Sequence, residues 1–269
     1  MINCAIFLRS MDSIVNAVSN CNLQQARQLA QYLKENNQII QAAARTRGSD
    51  GLSTSLLEAI HAVNSSNCAF AVIQLLLVQH DCGIADGFAG NFVNECVIVF
   101  SSITLAHASL YYADTVRLSH ALATLSCQVR CAKRTIRCLM QLCSVLLSAG
   151  PGVDNQTPNT TTMTAVHADV LQVCISAHMY SHALRFIAAH RILSIKPSMH
   201  PLSSEDYLRY FYLAGLCCIA VKDFRRAIYY LNEVLLTPAE FISAIAVEAI
   251  KKLKLLHLIE YGAEYELPE

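Results

Sequence analysis

Residues 207–252 constrain the fold more than any other stretch, because they read as one helical hairpin and the start of the next. Gly215 falls inside an apolar helix carrying Phe211, Tyr212 and Leu216, where its missing side chain lets a second helix pack close. Ala227 lies twelve residues on, in a helix carrying Ile228, Leu231 and Leu235, and is small at the same crossing. The polar pair Lys222-Asp223 separates the two helices, and Thr237-Pro238 ends the second. Gly215, Ala227, Phe224 and Pro238 are the expected repeat-packing positions. Hairpins of this kind cannot bury their apolar faces alone and have to stack. A stack of helix pairs without reaction chemistry works by holding other proteins.

Composition fits helices that are apolar on more than one face. Only 15% of residues are charged and 54% are hydrophobic, as in the inner helices of a stack. The formal net charge is zero, so no global field draws the chain to nucleic acid or anionic lipid. A polytopic membrane protein is the competing class, and two segments raise it. Residues 69–78 are apolar apart from Gln74, but reach only half of the ~20 residues that span a bilayer. Residues 92–112 are long enough, yet they carry Asn94, Glu95, Ser101, Ser102, Thr104 and His107, which are costly in hydrocarbon. Arg9 and Asp12 interrupt the short apolar start at residues 2–8 before it reaches the length of a signal core. A soluble, intracellular protein is expected, with no membrane partner.

The twelve cysteines contain no CxxC pair, which removes the strong zinc-ribbon signal. Cys127, Cys131 and Cys138 fall on one helical face, and Cys217-Cys218 lies inside an apolar helix. Such thiols behave as small buried hydrophobes, and their number suits a reducing compartment.

Along the chain, helices are expected at residues 11–20, 23–33, 56–63 and 68–79, with a loop at 47–53. Gly83, Gly87 and Gly90 mark residues 80–91 as a second loop, without the strand or the GK[ST] of a phosphate site. Helices then cover 92–107, 108–125 and 126–149. Residues 150–161 (GPGVDNQTPNTT) read as a flexible linker. Beyond it, Val166, Val170, Val173 and Ala177 stripe one helix, and Ala183, Leu184, Ile187 and Ala188 the next. Ser203 and Ser204, followed by Glu205 and Asp206, cap the helix that opens the 207–252 hairpin. A last helix is expected over 239–261. The fold class is all-α: stacked antiparallel helical hairpins, of the tetratricopeptide-like kind. N-terminal repeats occupy 1–149, further repeats 162–261, and a tail 262–269.

No constellation nominates a catalytic residue, a cofactor or a metal. His178 and His182 stand at i, i+4, but the Glu of a zinc-protease helix is absent and they fall at a turn. His167 and Asp169 are i, i+2 neighbours, which point apart on a helix, so they are read as helix surface and its packing. Arg130, Lys133, Arg134 and Arg137 share one face of the expected 126–149 helix. They are read as a solvated face, or a docking face for an acidic partner. Nucleic acid is excluded, because no aromatics interleave for base stacking. Lys251, Lys252 and Lys254 form a smaller patch of the same kind. The aromatics Tyr207, Tyr210, Phe211, Tyr212, Phe224, Tyr229 and Tyr230 are read as packing between repeats, with a peptide groove as the alternative. The sequons at Asn64 and Asn159 are chance matches without a secretory route.

Three blocks in order carry a family resemblance. Residues 163–169 (MTAVHAD) continuing through Leu171-Gln172-Val173-Cys174, residues 210–215 (YFYLAG) with 222–230 (KDFRRAIYY), and Thr237-Pro238-Ala239 with Ser243, Ile245, Glu248-Ala249 and Lys251-Lys252 resemble the third-subunit family of the COP-9 signalosome. The resemblance covers residues 163–259, and the N-terminal 150 residues carry no sharp motif of it. It implies a PCI-type right-handed solenoid acting as a non-catalytic scaffold, in a complex that removes Nedd8 from cullins through another subunit's metalloprotease site. Its partners would be the other signalosome subunits, in a hetero-oligomer. Related PCI-type subunits of the proteasome lid or of a translation initiation complex are the alternative. The chain runs only from Gly262 to Glu269 after Tyr261, so the winged-helix module of such subunits is expected to be missing.

Overall fold

The structure is a computed structural model that describes residues 69–84, 86–105, 108, 111–148, 162–190, 192, 201–238 and 242–262, with Gln31 and Tyr265. The helices expected before residue 68, the linker 150–161 and both sequons lie outside the described residues. Every described regular element is helical. The helices fall into two compact units, within Met1–Ala149 and Gly150–Glu269.

In the first unit, α1 spans Ala69–Asp81, a 3-10 turn spans Asp86–Phe88, and α2 spans Ala89–Ser102. Helix α3 spans Tyr112–Gln128 and α4 spans Ala132–Leu147. Helix α1 packs on α2 and α3, and α4 packs on the same two. Residues 72–78 of α1 are all buried, as an apolar run interrupted by one glutamine must be. Gln74 meets its polar requirement by donating to the Asp114 carboxylate of α3 at 2.9 Å. Phe92, Phe100, Leu118 and Leu122 complete the core. Among the described residues, no helix is long and apolar enough to cross a membrane.

In the second unit, α5 is Val166–Ser176, α6 Tyr180–Ala189, α7 Ser204–Ala220, α8 Phe224–Leu236 and α9 Ala244–Tyr261. Helix α7 is the hub, touching α5, α6, α8 and α9. A Cβ at Gly215 would stand 2.8 Å from Leu231 Cγ and 3.6 Å from the Ala227 carbonyl oxygen. That is the close α7–α8 approach for which the small residues were singled out. Ser203 caps α7 by accepting the Asp206 amide at 3.0 Å, and its hydroxyl donates to the Asp206 carboxylate at 2.6 Å. Phe224 opens α8 half-buried, and Pro238 lies exposed just beyond its end.

One turn is used at three hairpins. Helices α3, α5 and α7 each end through a residue with left-handed backbone: Arg130 (φ 58), His178 (φ 55) and Lys222 (φ 64). In each, the following amide donates back to the carbonyl five residues earlier. These bonds are Cys131 to Ser126 at 2.9 Å, Met179 to Cys174 at 2.8 Å and Asp223 to Cys218 at 2.9 Å. That bond closes a Schellman-type end, and the next helix begins at once.

The first of these turns corrects the expectation of one helix over 126–149. The chain breaks at residues 129–131, so Arg130 leaves the face of Lys133, Arg134 and Arg137, and Cys127 and Cys131 leave the helix of Cys138. No Gly or Pro announces the break, since a non-glycine residue takes the left-handed position. The expected loop at 80–91 is shorter, because Gly90 lies inside α2 while Gly83 (φ 86) supplies the turn. The expected 92–107 helix stops at Ser102, where Ile103 turns extended. The last helix begins at Ala244, where the Ser243 side chain accepts the Ala246 amide at 3.1 Å.

Candidate interaction surfaces

Of the helix surface and packing expected for His167 and Asp169, the structure shows packing: both are fully buried. Helix α7 explains both. Arg209 on α7 donates to Asp169 at 3.3 Å and to the Gln172 side chain at 2.5 Å, and also pairs with Asp206 at 3.5 Å. A buried carboxylate is tolerated because a guanidinium answers it. His167 Nδ1 accepts the Thr164 amide at 3.0 Å, and its ring lies 5.4 Å from Phe186 and 5.9 Å from Tyr210. The pair is therefore a structural clamp between α5, α6 and α7. Sequence reasoning missed it because Arg209 lies 40 residues from Asp169, and only packing joins them.

The other candidate histidines flank a turn. His178 Nδ1 stands 3.2 Å from the Tyr180 hydroxyl, and His182 lies in the first turn of α6.

The aromatic group divides between core and surface. Tyr210 and Phe211 are buried, Tyr207, Tyr212 and Tyr230 are half-buried, and Tyr229 is 58% exposed. Along α7 and α8 they leave two cavities. One of about 370 Å³ is lined by Leu202, Tyr207, Glu233, Leu236, Thr237 and Pro238. A smaller one of about 190 Å³ is bounded by Ile187, His190, Tyr210, Phe211, Tyr229 and Tyr230.

The basic residues are placed unequally. Lys133, Arg134 and Arg137 are exposed in the first two turns of α4, beside the exposed Arg130 of the preceding turn. Lys133 and Arg134 stand at the positive end of the helix dipole, and no acidic residue shares that turn. By contrast, Lys251 and Lys252 both pair with Glu248, at 2.7 and 3.2 Å. Lys252 also lies 5.2 Å from the centre of the Tyr212 ring, which it covers. It serves packing between α9 and α7 more than an outer surface.

Helix α9 is apolar on two sides. Ala249, Leu253 and Leu256 are buried against the neighbouring helices, while Leu255, Leu258 and Ile259 are each about 60% exposed. Gly262 ends it in a left-handed cap (φ 67) that donates to the Leu258 carbonyl.

None of the described cysteines forms a disulfide. Burial pushes the Cys138 and Cys217 thiols up to about 12, and those of Cys174 and Cys218 up to about 11. Thiols held neutral in this way are packing groups rather than nucleophiles.

Comparison with known proteins is consistent across the chain. The family model described as COP9 signalosome complex subunit 3, N-terminal helical repeats, matches residues 23–269. The COP9 signalosome complex subunit 3 of Dictyostelium discoideum is 30% identical over 178 residues, which cover 66% of this chain and 40% of that protein. Its counterpart of the same name in Arabidopsis thaliana is 34% identical over 100 residues, covering 37% of this chain and 22% of that protein. The matched stretches thus span less than half the length of either relative.

Proposed function

Since the chain belongs to the family of COP9 signalosome complex subunit 3 N-terminal helical repeats, we propose that it acts as a non-catalytic scaffold segment of that complex, in cytoplasm and nucleus. In this reading it holds neighbouring subunits of the assembly that removes Nedd8 from cullins, while another subunit supplies the protease chemistry. The match across residues 23–269 carries the proposal, because it reaches into both compact units.

Rigid hairpins suit the task. The Gly215–Leu231 contact and the Arg209 clamp fix α5, α7 and α8 as one body, so surface residues are presented without an ordering cost at the moment of binding. The face around Lys133, Arg134 and Arg137 is the strongest partner-facing candidate. Cations at the positive end of α4 cost about 0.3–1 kcal/mol each at this position. An acidic surface on a neighbouring subunit would offset that cost and gain in electrostatic steering.

The test is purification of the tagged chain from its own cells, with mass spectrometry of what it brings down. Near-equal recovery of the other signalosome subunits is expected. Replacing Lys133, Arg134 and Arg137 together by Glu should lower that recovery severalfold without lowering the melting temperature, since the helix N-terminus favours the glutamates. Recovery of proteasome-lid or initiation-complex subunits would reassign the chain, and recovery of chaperones alone would overturn the scaffold role.

A further inference from the structure

The 370 Å³ cavity at the meeting of the α7 N-terminus and the α8 C-terminus has the size of a side-chain or small-ligand pocket. Its floor carries one carboxylate, that of the half-buried Glu233. No ion pair among the described residues uses it. Two phenols attend it instead. Tyr229, one turn earlier on α8, and Tyr207 both lie close enough to feel its charge. Burial first, and then the Glu233 charge, hold both phenols above the usual tyrosine range.

The backbone adds the same sign. Leu236 and Thr237 stand at the negative end of the α8 dipole, where cations are favoured. The opposite reading, an anion at the α7 N-terminus, fails on occupancy and charge. The Ser203 side chain already accepts the Asp206 amide there, and Glu205 and Asp206 make that turn acidic. The remaining walls combine apolar and aromatic groups, from Leu202, Leu236, Pro238 and the Tyr207 ring, with the polar residues Ser203, Ser204 and Thr237. An aliphatic stem that ends in a planar cation matches this combination, with its head on the carboxylate and its plane against a phenol ring.

We propose that this pocket receives an arginine side chain presented by an extended segment of a neighbouring polypeptide, with Glu233 as the ionic anchor, Tyr207 flanking the guanidinium, and Leu236 and Pro238 packing its stem. That the segment belongs to another subunit rests on the scaffold reading; the arginine preference does not.

The experiment titrates the capped tripeptide acetyl-Ala-Arg-Ala-amide into the purified full chain, followed by methyl NMR at Leu202 and Leu236. Saturable shifts at these methyls are expected. The same peptide with citrulline, which keeps the shape and loses the charge, should bind about tenfold more weakly or worse. Glu233→Gln should abolish the difference between the two peptides while leaving the circular-dichroism melt unchanged. If that variant unfolds, Tyr207→Leu, which removes the aromatic ring from the pocket wall, serves in its place and should weaken arginine binding severalfold. Absence of saturable shifts, equal binding of arginine and citrulline, or full arginine preference in both variants would overturn the proposal. Each of those results leaves the co-purification of signalosome subunits untouched, so the two readings fail separately.

Discussion

Leu231 is fully buried, and a Cβ placed at Gly215 would meet its Cγ at 2.8 Å and its Cδ2 at 2.9 Å. Two effects then compete for Gly215→Ala. Alanine in a helix interior is favoured over glycine by about 1 kcal/mol. Overpacking a close crossing costs about 1–3 kcal/mol, and Leu231 has no solvent side into which to swing. The crossing should win. Urea unfolding is expected to show a net loss of about 1 kcal/mol, and the loss should vanish in a Leu231→Ala background, where both clashing atoms, Cγ and Cδ2, are gone. A stabilising Gly215→Ala would show that the two helices can part at no cost. Gly215 was legible in the sequence because a glycine inside an apolar helix weakens that helix, and a close crossing is the usual compensation. Asp169 was not, because i, i+2 spacing carries no trace of an arginine 40 residues away.

At the scale of the element, the turns ending α3, α5 and α7 share one geometry and differ in what the sequence shows of it. Lys222-Asp223 stands out because Asp223 also caps α8, accepting the Arg226 amide at 3.2 Å, and two polar residues interrupt an apolar run. The turn at Arg130 carries no such sign, since Val129 and Cys131 flank it and apolar spacing continues through both. A hydrophobic period survives a three-residue break when the next helix restarts nearly in phase. All three turns place a side-chain-bearing residue in left-handed backbone, a conformation costing about 1–2 kcal/mol outside glycine. Lys222 is exposed and forms no described ion pair, so Lys222→Gly removes strain at little loss of contact. It is expected to stabilise the chain by about 0.5–1 kcal/mol, after the larger entropy of glycine in the unfolded chain is set against the relief. Lys222→Val should destabilise it by a similar amount. Paired chemical-denaturation curves decide this, and a destabilising glycine would remove strain at the turn as the controlling quantity.

For the whole molecule, the family blocks read from the sequence fall on α5, α7, α8 and α9, all in the second unit, whereas the family match extends back to residue 23. The first unit is dominated by apolar positions, and many side chains satisfy a buried position equally well. Charged and glycine positions tolerate fewer substitutes, so they carry more of the recognisable pattern. The same apolar dominance sets how stability depends on pH. Cys96 and Cys138 in the first unit, and Cys174, Cys217 and Cys218 in the second, all have thiols pushed up by burial. A folded-state value raised above the unfolded one means that the folded chain binds the proton more tightly. That contribution is complete below about pH 8.5, where unfolded thiols are also neutral, and is lost as pH rises toward the folded values of about 11 to 12. By pH 10 each such thiol should weaken folding by roughly 1–2 kcal/mol, enough for several together to approach the whole stability of a domain. Urea midpoints measured in reductant from pH 7 to pH 10.5 should therefore hold flat to about pH 8.5 and then fall steeply. Mass mapping of iodoacetamide labelling at pH 8 should find Cys138, Cys174, Cys217 and Cys218 protected until the chain unfolds, since only the thiolate reacts and burial withholds it. Midpoints that stay flat to pH 10.5, or ready labelling of the native chain, would mean that these thiols reach water and do not serve as the core.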